Sequence, residues 1–359
     1  ANMGIGYLYP NDPDGDNDLI PYLQGIDVGD PSYVRAQDVL VQFLGSASSV
    51  SRMSIIPVPS DTQQARAKGY FATYVDERTR QLHGGYVNAD PSAGLWGVPG
   101  ILEFQSEFDL PLQNAALSPN YAADGRYAVV FQDTNIIYVV TGDAVFPYTV
   151  NGQDYSEDQS GTNSVEIIDS LRWDPSGRKL VFDYATCAPG SENDTCTYVW
   201  SVGFVNADIE GAEGISYPFP GQPSHIDLGY PAFSNTQDRW IVMDYHRYSE
   251  DDGAFVEQLA VVYDLYEGAL YDSGIRLSNC VATGVIWASP SFTADDQGFI
   301  HAGCVSADSD LPTTFVTSLD NGVASPTQVN DYTATLPFAV PADPYHIEAS
   351  LAFSPSNQN

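Results

Sequence analysis

Lysine is almost missing from this chain of 359 residues: Lys68 and Lys179 are the two present. With the arginines they give 13 basic groups against 47 acidic ones and a net charge of −34. A field of that sign repels phosphate backbones and anionic lipid surfaces, which need Lys and Arg to displace their counterions. Nucleic acid and membrane-surface partners are therefore not expected. No run of 18 apolar residues exists, so no membrane-inserting helix is expected, and no long helical periodicity is found anywhere. Cysteine is sparse, at four, without the CxxC spacing of a zinc or thioredoxin-type site. Also missing are a GxSxG elbow, a Gly-rich phosphate loop, an HExxH helix and a sialidase-type box, so no reaction is announced by motif.

What is present favours strands, turns and an oxidising compartment. Tyr at 23, Phe at 16 and Trp at 5 suit pleated, half-buried surfaces. Cys187 and Cys196 bracket one short loop, and Cys280 and Cys304 lie 24 apart, so two structural disulfides, Cys187–Cys196 and Cys280–Cys304, are expected. Asn193 opens the sole N-x-S/T sequon, a possible glycosylation site inside the first of these loops. The chain opens at Ala1 without a charged-then-apolar leader, as a secreted protein would after signal removal. Extracellular or cell-surface placement is expected, with the periplasm as the alternative.

The stretch Ser170 to Tyr184, SLRWDPSGRKLVFDY, reads as two apolar strands about a tight turn, with Asp174, Pro175 and Gly177 at turn-forming positions. The pattern recurs. Related phrases begin at Met53, Ala115, Tyr230 and Ser289, and the anchors Leu117, Trp173, Phe233 and Phe292 are separated by steps of 56, 60 and 59 residues. Ile55 marks a weaker copy. A sixth starts at Ala349, where Phe353 follows Phe292 by 61 residues, but the chain stops inside its turn. Its second strand reappears at the other terminus in Met3 to Tyr9, MGIGYLY.

A repeat of about 60 residues with about four short strands is a propeller blade. The expected fold is all-β: a single domain over 1–359, a six-bladed β-propeller whose last blade is shared between N- and C-terminal strands. Such sharing closes the ring with main-chain hydrogen bonds. In the alternative, Ala349 to Asn359 inserts into a neighbouring copy and links subunits.

The strand, Ser-Pro or Asp-Pro turn, Gly-Arg and strand of LSPNYAADGRYAVVF and LRWDPSGRKLVF resemble the repeats of TolB-type and related WD-like propellers. The resemblance implies a periplasmic or secreted propeller in which the motif forms the turn between the two inner strands and carries no catalytic residue. Asp174 and Arg178 are accordingly expected to be scaffold.

The connections on the opposite rim are acidic. In Asp12-Pro13-Asp14-Gly15-Asp16-Asn17-Asp18, alternate carboxylates in a Gly-containing turn converge oxygens as a Ca²⁺ loop requires, making Asp12, Asp14, Asp16 and Asp18 candidate metal ligands. An EF-hand is excluded, because its twelfth position falls on Leu23. The competing reading is a solvated acidic loop, and Glu250-Asp251-Asp252 and Asp308 with Asp310 are weaker versions. His225 and His346 each precede an inner strand with a carboxylate two residues on, Asp227 and Glu348, and so are candidates for a base or metal site at the channel mouth. Hydrogen bonding between blade connectors is the plainer explanation. The functional expectation is a secreted, non-enzymatic structural or interaction module binding protein partners, copies of itself or divalent cations. The alternatives are a propeller hydrolase or lyase and a TolB-like partner-binding protein.

Overall fold

In the computed structural model the described residues form 26 strands and one helical turn. Outside the strands they comprise 118–126, 134–135, 142–143, 150–151, 168, 170, 174–178, 207–214, 234, 239, 249, 265–268, 290 and 296. Described side chains fall mainly between 112 and 266, with a few near 73–85 and 290–299.

Six sheets follow one another along the chain. A terminal sheet begins with β1 (Asn2–Pro10), β2 (Leu19–Asp27) and β3 (Val39–Gln42). The first sheet holds β4 (Val50–Pro57), β5 (Gly69–Asp76), β6 (Gln81–Asn88) and β7 (Gly100–Leu102); the second holds β8 (Leu112–Leu117), β9 (Tyr127–Phe131), β10 (Ile136–Thr141) and β11 (Ala144–Thr149). The third holds β12 (Glu166–Ile167), β13 (Leu171–Trp173), β14 (Lys179–Pro189), β15 (Cys196–Asn206) and β16 (Ile215–Pro218). The fourth holds β17 (Ile226–Phe233), β18 (Trp240–Tyr248), β19 (Phe255–Asp264) and β20 (Ala269–Leu277). After β21 (Ile286–Ser289), the fifth holds β22 (Ser291–Phe292), β23 (Gly298–Val305), β24 (Pro312–Asp320) and β25 (Val323–Thr333); β26 (Ile347–Ser354) then completes the terminal sheet.

Paired strands are antiparallel except β21 with β26, and each repeat anchor lies in an opening strand: Ile55 in β4, Leu117 in β8, Trp173 in β13, Phe233 in β17, Phe292 in β22 and Phe353 in β26. The two ends of the chain meet as the severed repeat requires. β26 pairs antiparallel with β1, Phe353 opposite Met3 and Leu351 opposite Ile5. The opening strands touch in a cycle, β4 to β8, β13, β17, β22, β26 and back to β4, which makes the arrangement propeller-like.

The sheets are held together by their faces. Because each face lies against a neighbour, inner strands read as apolar runs, such as β9, YAVVF, buried throughout. One cluster joins Val75 and Leu82 of the first sheet to Leu117 and Val129 of the second. Another joins Ala128, Val130 and Ile137 to Trp173, Leu180 and Phe182 of the third. Val181 and Val202 meet Phe233, Ile241 and Met243 of the fourth, whose Trp240 and Val242 meet Phe292 and Phe299 of the fifth. Burying a side chain such as Phe182 contributes about 1.5–3 kcal/mol.

Two local departures from the sequence expectation have physical causes. The second-sheet turn, read as a short loop, closes through a single helical turn, α1 (Tyr121–Asp124), ended by Gly125 at φ 65. In the fifth repeat the opening strand breaks at Pro290. Proline cannot donate to a ladder, and the upstream half, β21, pairs in parallel with β26 while β22 pairs with β23.

Among the described residues no helix is long and apolar enough to cross a membrane.

Candidate functional site

In the third sheet Asp174 organises the turn, its Oδ1 accepting from the backbone N–H of Arg178 at 2.7 Å and of Lys179 at 2.8 Å. Arg178 and Arg126 both pair with Asp208, and Arg126 stacks on Trp173 of the adjoining sheet at 5.0 Å. Arg126 also donates to the carbonyls of Gly177 and Ala207, and Asn120 donates to the carbonyl of Ser176. These bonds fasten the second sheet to the third, the scaffold role expected of Asp174 and Arg178.

Toward the other end of the inner strands the third and fourth copies diverge. Asp183 on β14 stands opposite Ser170, just before β13. Its Oδ1 accepts from the Ser170 N–H at 2.6 Å and its Oδ2 from the Ser170 hydroxyl at 2.9 Å. Ser170 Oγ in turn accepts from the backbone N–H of Tyr230 in the fourth sheet at 2.9 Å. This clamp holds Tyr230 at φ 56, a left-handed conformation that costs a bulky residue of order 1–3 kcal/mol, within the bulge between Gly229 and Ala232.

Asp244 on β18 is the equivalent of Asp183, three residues beyond Ile241 as Asp183 is beyond Leu180. Its cross-strand neighbour is Gly229, which has no hydroxyl to offer. Asp244 instead meets His246, Oδ2 to Nε2 at 3.0 Å, with both side chains at 0% exposure. Residues two apart on a strand share a face, so this pairing is built into the backbone. Ile241 and Met243 face the third sheet and Val242 faces the fifth, which turns Asp244 and His246 toward the fifth sheet as well.

The third sheet also carries a buried cation. Arg172 on β13 donates from Nη1 to the carbonyl of Pro290 at 2.9 Å. Pro290 lies between β21 and β22, so the bond ties the third sheet to the start of the fifth repeat. Burial disfavours the charged guanidinium and holds its pKa down to about 10, which still leaves it charged at neutral pH.

The residues expected from sequence fall partly outside the description. Asp12, Asp14, Asp16 and Asp18, His225, His346, Cys280 and Asn193 lie outside the described residues. Asp227 is placed opposite His246 in the β17–β18 ladder, and Glu348 opposite Trp287 in β21, as backbone positions only. Cys196 stands opposite Pro189 and Cys187 opposite Tyr198, so the two cysteines are diagonal across the β14–β15 hairpin. Among the described residues no three His, Cys, Asp or Glu side chains converge as a metal would require. His246 shares no ligand spacing with His225 or His346, so spacing in the sequence does not single it out. The signal that reveals it is the pair of aligned phrases, VFDYA and VMDYH, read with Ser170 and Gly229.

No family model matches the chain, and no curated protein matches it. The resemblance to TolB-type repeats therefore holds at the level of fold and not of family. Similar solved structures include a cobalt-substituted Synechocystis apocarotenoid oxygenase, 12% identical, TM-score 0.47, covering 94% of this chain and 72% of that one. A lignostilbene dioxygenase from Pseudomonas brassicacearum is 11% identical, TM-score 0.43, covering 95% and 74%. A hypothetical selenium-binding protein from Sulfolobus tokodaii is 9% identical, TM-score 0.49, covering 92% and 73%. Likeness at this level speaks of the fold and carries no reaction across. Two expectations are nevertheless corrected. The non-enzymatic structural module is withdrawn, since the similar chains of named activity are oxygenases. Calcium is withdrawn as cofactor, since the metal described among them is a transition metal, cobalt standing in for the resident ion. What the comparisons leave with this chain is an all-β fold of antiparallel sheets shared with β-rich, propeller-like proteins.

Proposed function

We propose that this chain is a six-bladed β-propeller enzyme in which His246, oriented by Asp244, is the acid–base group of a hydrolysis or elimination. The closed cycle of opening strands and the pairing of β26 with β1 support the ring. The observation that carries the function is the buried Asp244–His246 pair, found in the copy where Gly229 replaces the serine of the structural clamp.

Imidazole exchanges protons near neutral pH, and a carboxylate on one ring nitrogen fixes the ring and its tautomer. Asp244 Oδ2 lies 3.0 Å from Nε2 and so holds the ring that would exchange the proton. When the imidazole takes a proton from water or from an acidic carbon, the Asp244 carboxylate stabilises the imidazolium that forms. Burial strengthens that contact, because the pair sits in a medium of low dielectric. A secreted or periplasmic setting is part of this reading, supported by the cysteine spacing and the scarcity of lysine.

The test is a panel of ester, peptide, glycoside and uronan-lyase substrates offered to the wild-type protein and to His246→Gln. The reading expects turnover of one class, reduced about 10²–10⁴-fold by the substitution. Turnover that survives His246→Gln would remove the residue from the mechanism.

A further inference from the structure

The turn end of the fourth sheet carries a feature that neither the ring nor the Asp244–His246 pair requires. Trp240 and His246 are six residues apart along β18, about 20 Å, so the feature is distinct from the candidate catalytic site. Tyr266, in the turn between β19 and β20, is 76% exposed, the most open of the large apolar side chains described. It is nonetheless held firmly. Its backbone N–H donates to Asp264 Oδ1 at 2.9 Å, and Gly268, at φ 62, closes the turn by donating to the Asp264 carbonyl at 2.8 Å.

Beneath the ring lies Arg239, its guanidinium carbon 5.7 Å from the Tyr266 centroid and 4.4 Å from that of Trp240. Asp264 accepts from Nε at 3.0 Å and from Nη2 at 2.5 Å, and Glu267 accepts from Nη2 at 3.3 Å. Here again the copies differ. Arg126 and Arg178, at the same turn position, are spent on Asp208 and on fastening sheet to sheet. Arg239 turns back on its own sheet and stiffens an exposed aromatic ring.

We propose that Tyr266 is a stacking platform for the apolar face of a neutral sugar ring. The sugar stacks on the ring face opposite Arg239, and Glu267, 59% exposed beside the ring, accepts from a hydroxyl at its edge. A ring held in place before the ligand arrives loses little conformational entropy on binding, and Tyr supplies rigid amphipathic contact area. The ligand is neutral because Asp264 and Glu267 already compensate Arg239, and the field of a chain at −34 depletes uronate and sulfated sugars.

Cellohexaose, maltohexaose and an oligogalacturonate are the probes, followed by saturation-transfer NMR and by titration with the wild-type protein, Tyr266→Ala and Tyr266→Trp. Expected are binding of at least one neutral hexaose, weakening of at least tenfold in Tyr266→Ala, about 1.4 kcal/mol, and retention in Tyr266→Trp. Melting should not change, given the exposure of the side chain. Absence of binding by either neutral hexaose, weakening short of tenfold in Tyr266→Ala, or equal binding of the oligogalacturonate would overturn the proposal. None of these outcomes bears on His246.

Discussion

At the scale of single residues, packing between copies leaves little room where strands cross. An added Cβ at Gly203 would run into the ring of Phe182, which is fully buried and cannot retreat. Gly203→Ala is therefore expected to cost about 1–3 kcal/mol through overpacking, read as a lower denaturant midpoint with an unchanged m-value. Gly211→Ala makes the contrasting control. Its Cβ would meet nothing within 4 Å, so its smaller cost comes from φ 72 alone. The sequence of VWSVGFVN shows a strand glycine but not what approaches it, because Phe182 comes from the partner strand. Asp183 and Asp244 teach the same lesson. Both stand in a D-Y phrase, and what separates clamp from candidate site is whether Ser170 or Gly229 lies across the ladder.

At the scale of elements, hairpins were legible because their turns carry their own chemistry. Asp174 caps its turn, Gly177 and Gly125 take positive φ, and each anchor lies in an opening strand. The break at Pro290 was less visible, since its consequence, β21 leaving to pair with β26, depends on where β26 lies. The fourth-sheet turn yields a pH prediction. Asp264 is held below the usual carboxylate range, chiefly by its hydrogen bonds to Arg239, with the N–H groups of Tyr266 and Glu267 adding to this against the opposing effect of burial. A depressed folded pKa means the unfolded chain binds the proton first as pH falls. The stabilisation is thus complete above the unfolded carboxylate pKa near 3.8 and is lost as pH drops through the lower folded value. Arg239→Ala should lower stability at neutral pH by about 1–2 kcal/mol, less than the ~3–5 kcal/mol of a fully buried pair because Arg239 is 30% exposed. Chemical denaturation at pH 7 and pH 3 checks this: the gap between variant and wild type should narrow at the lower pH.

At the scale of the molecule, the two ends of the chain meet where β26 pairs with β1, and the opening strands touch in a propeller-like cycle. Removing residues 347–359 takes away β26, leaving one edge of β1 without its ladder and β4 without a neighbour in the cycle. Loss of a single cooperative melting transition is expected, and calorimetry showing the full-length transition would refute closure by this strand. The repeat spacing makes an all-β, propeller-like arrangement legible in the sequence, whereas the difference between Asp183 and Asp244 depends on what lies across the ladder. The central claim is that Asp183 is structural while its equivalent Asp244 serves His246. It is tested by measuring melting and turnover side by side for Asp183→Asn and Asp244→Asn. Asp183→Asn should destabilise by about 1–3 kcal/mol through a weakened buried clamp and leave the folded protein's turnover intact. Asp244→Asn should cost turnover by at least tenfold with a smaller loss of stability. Equal destabilisation by the two, with turnover untouched by Asp244→Asn, would contradict the account.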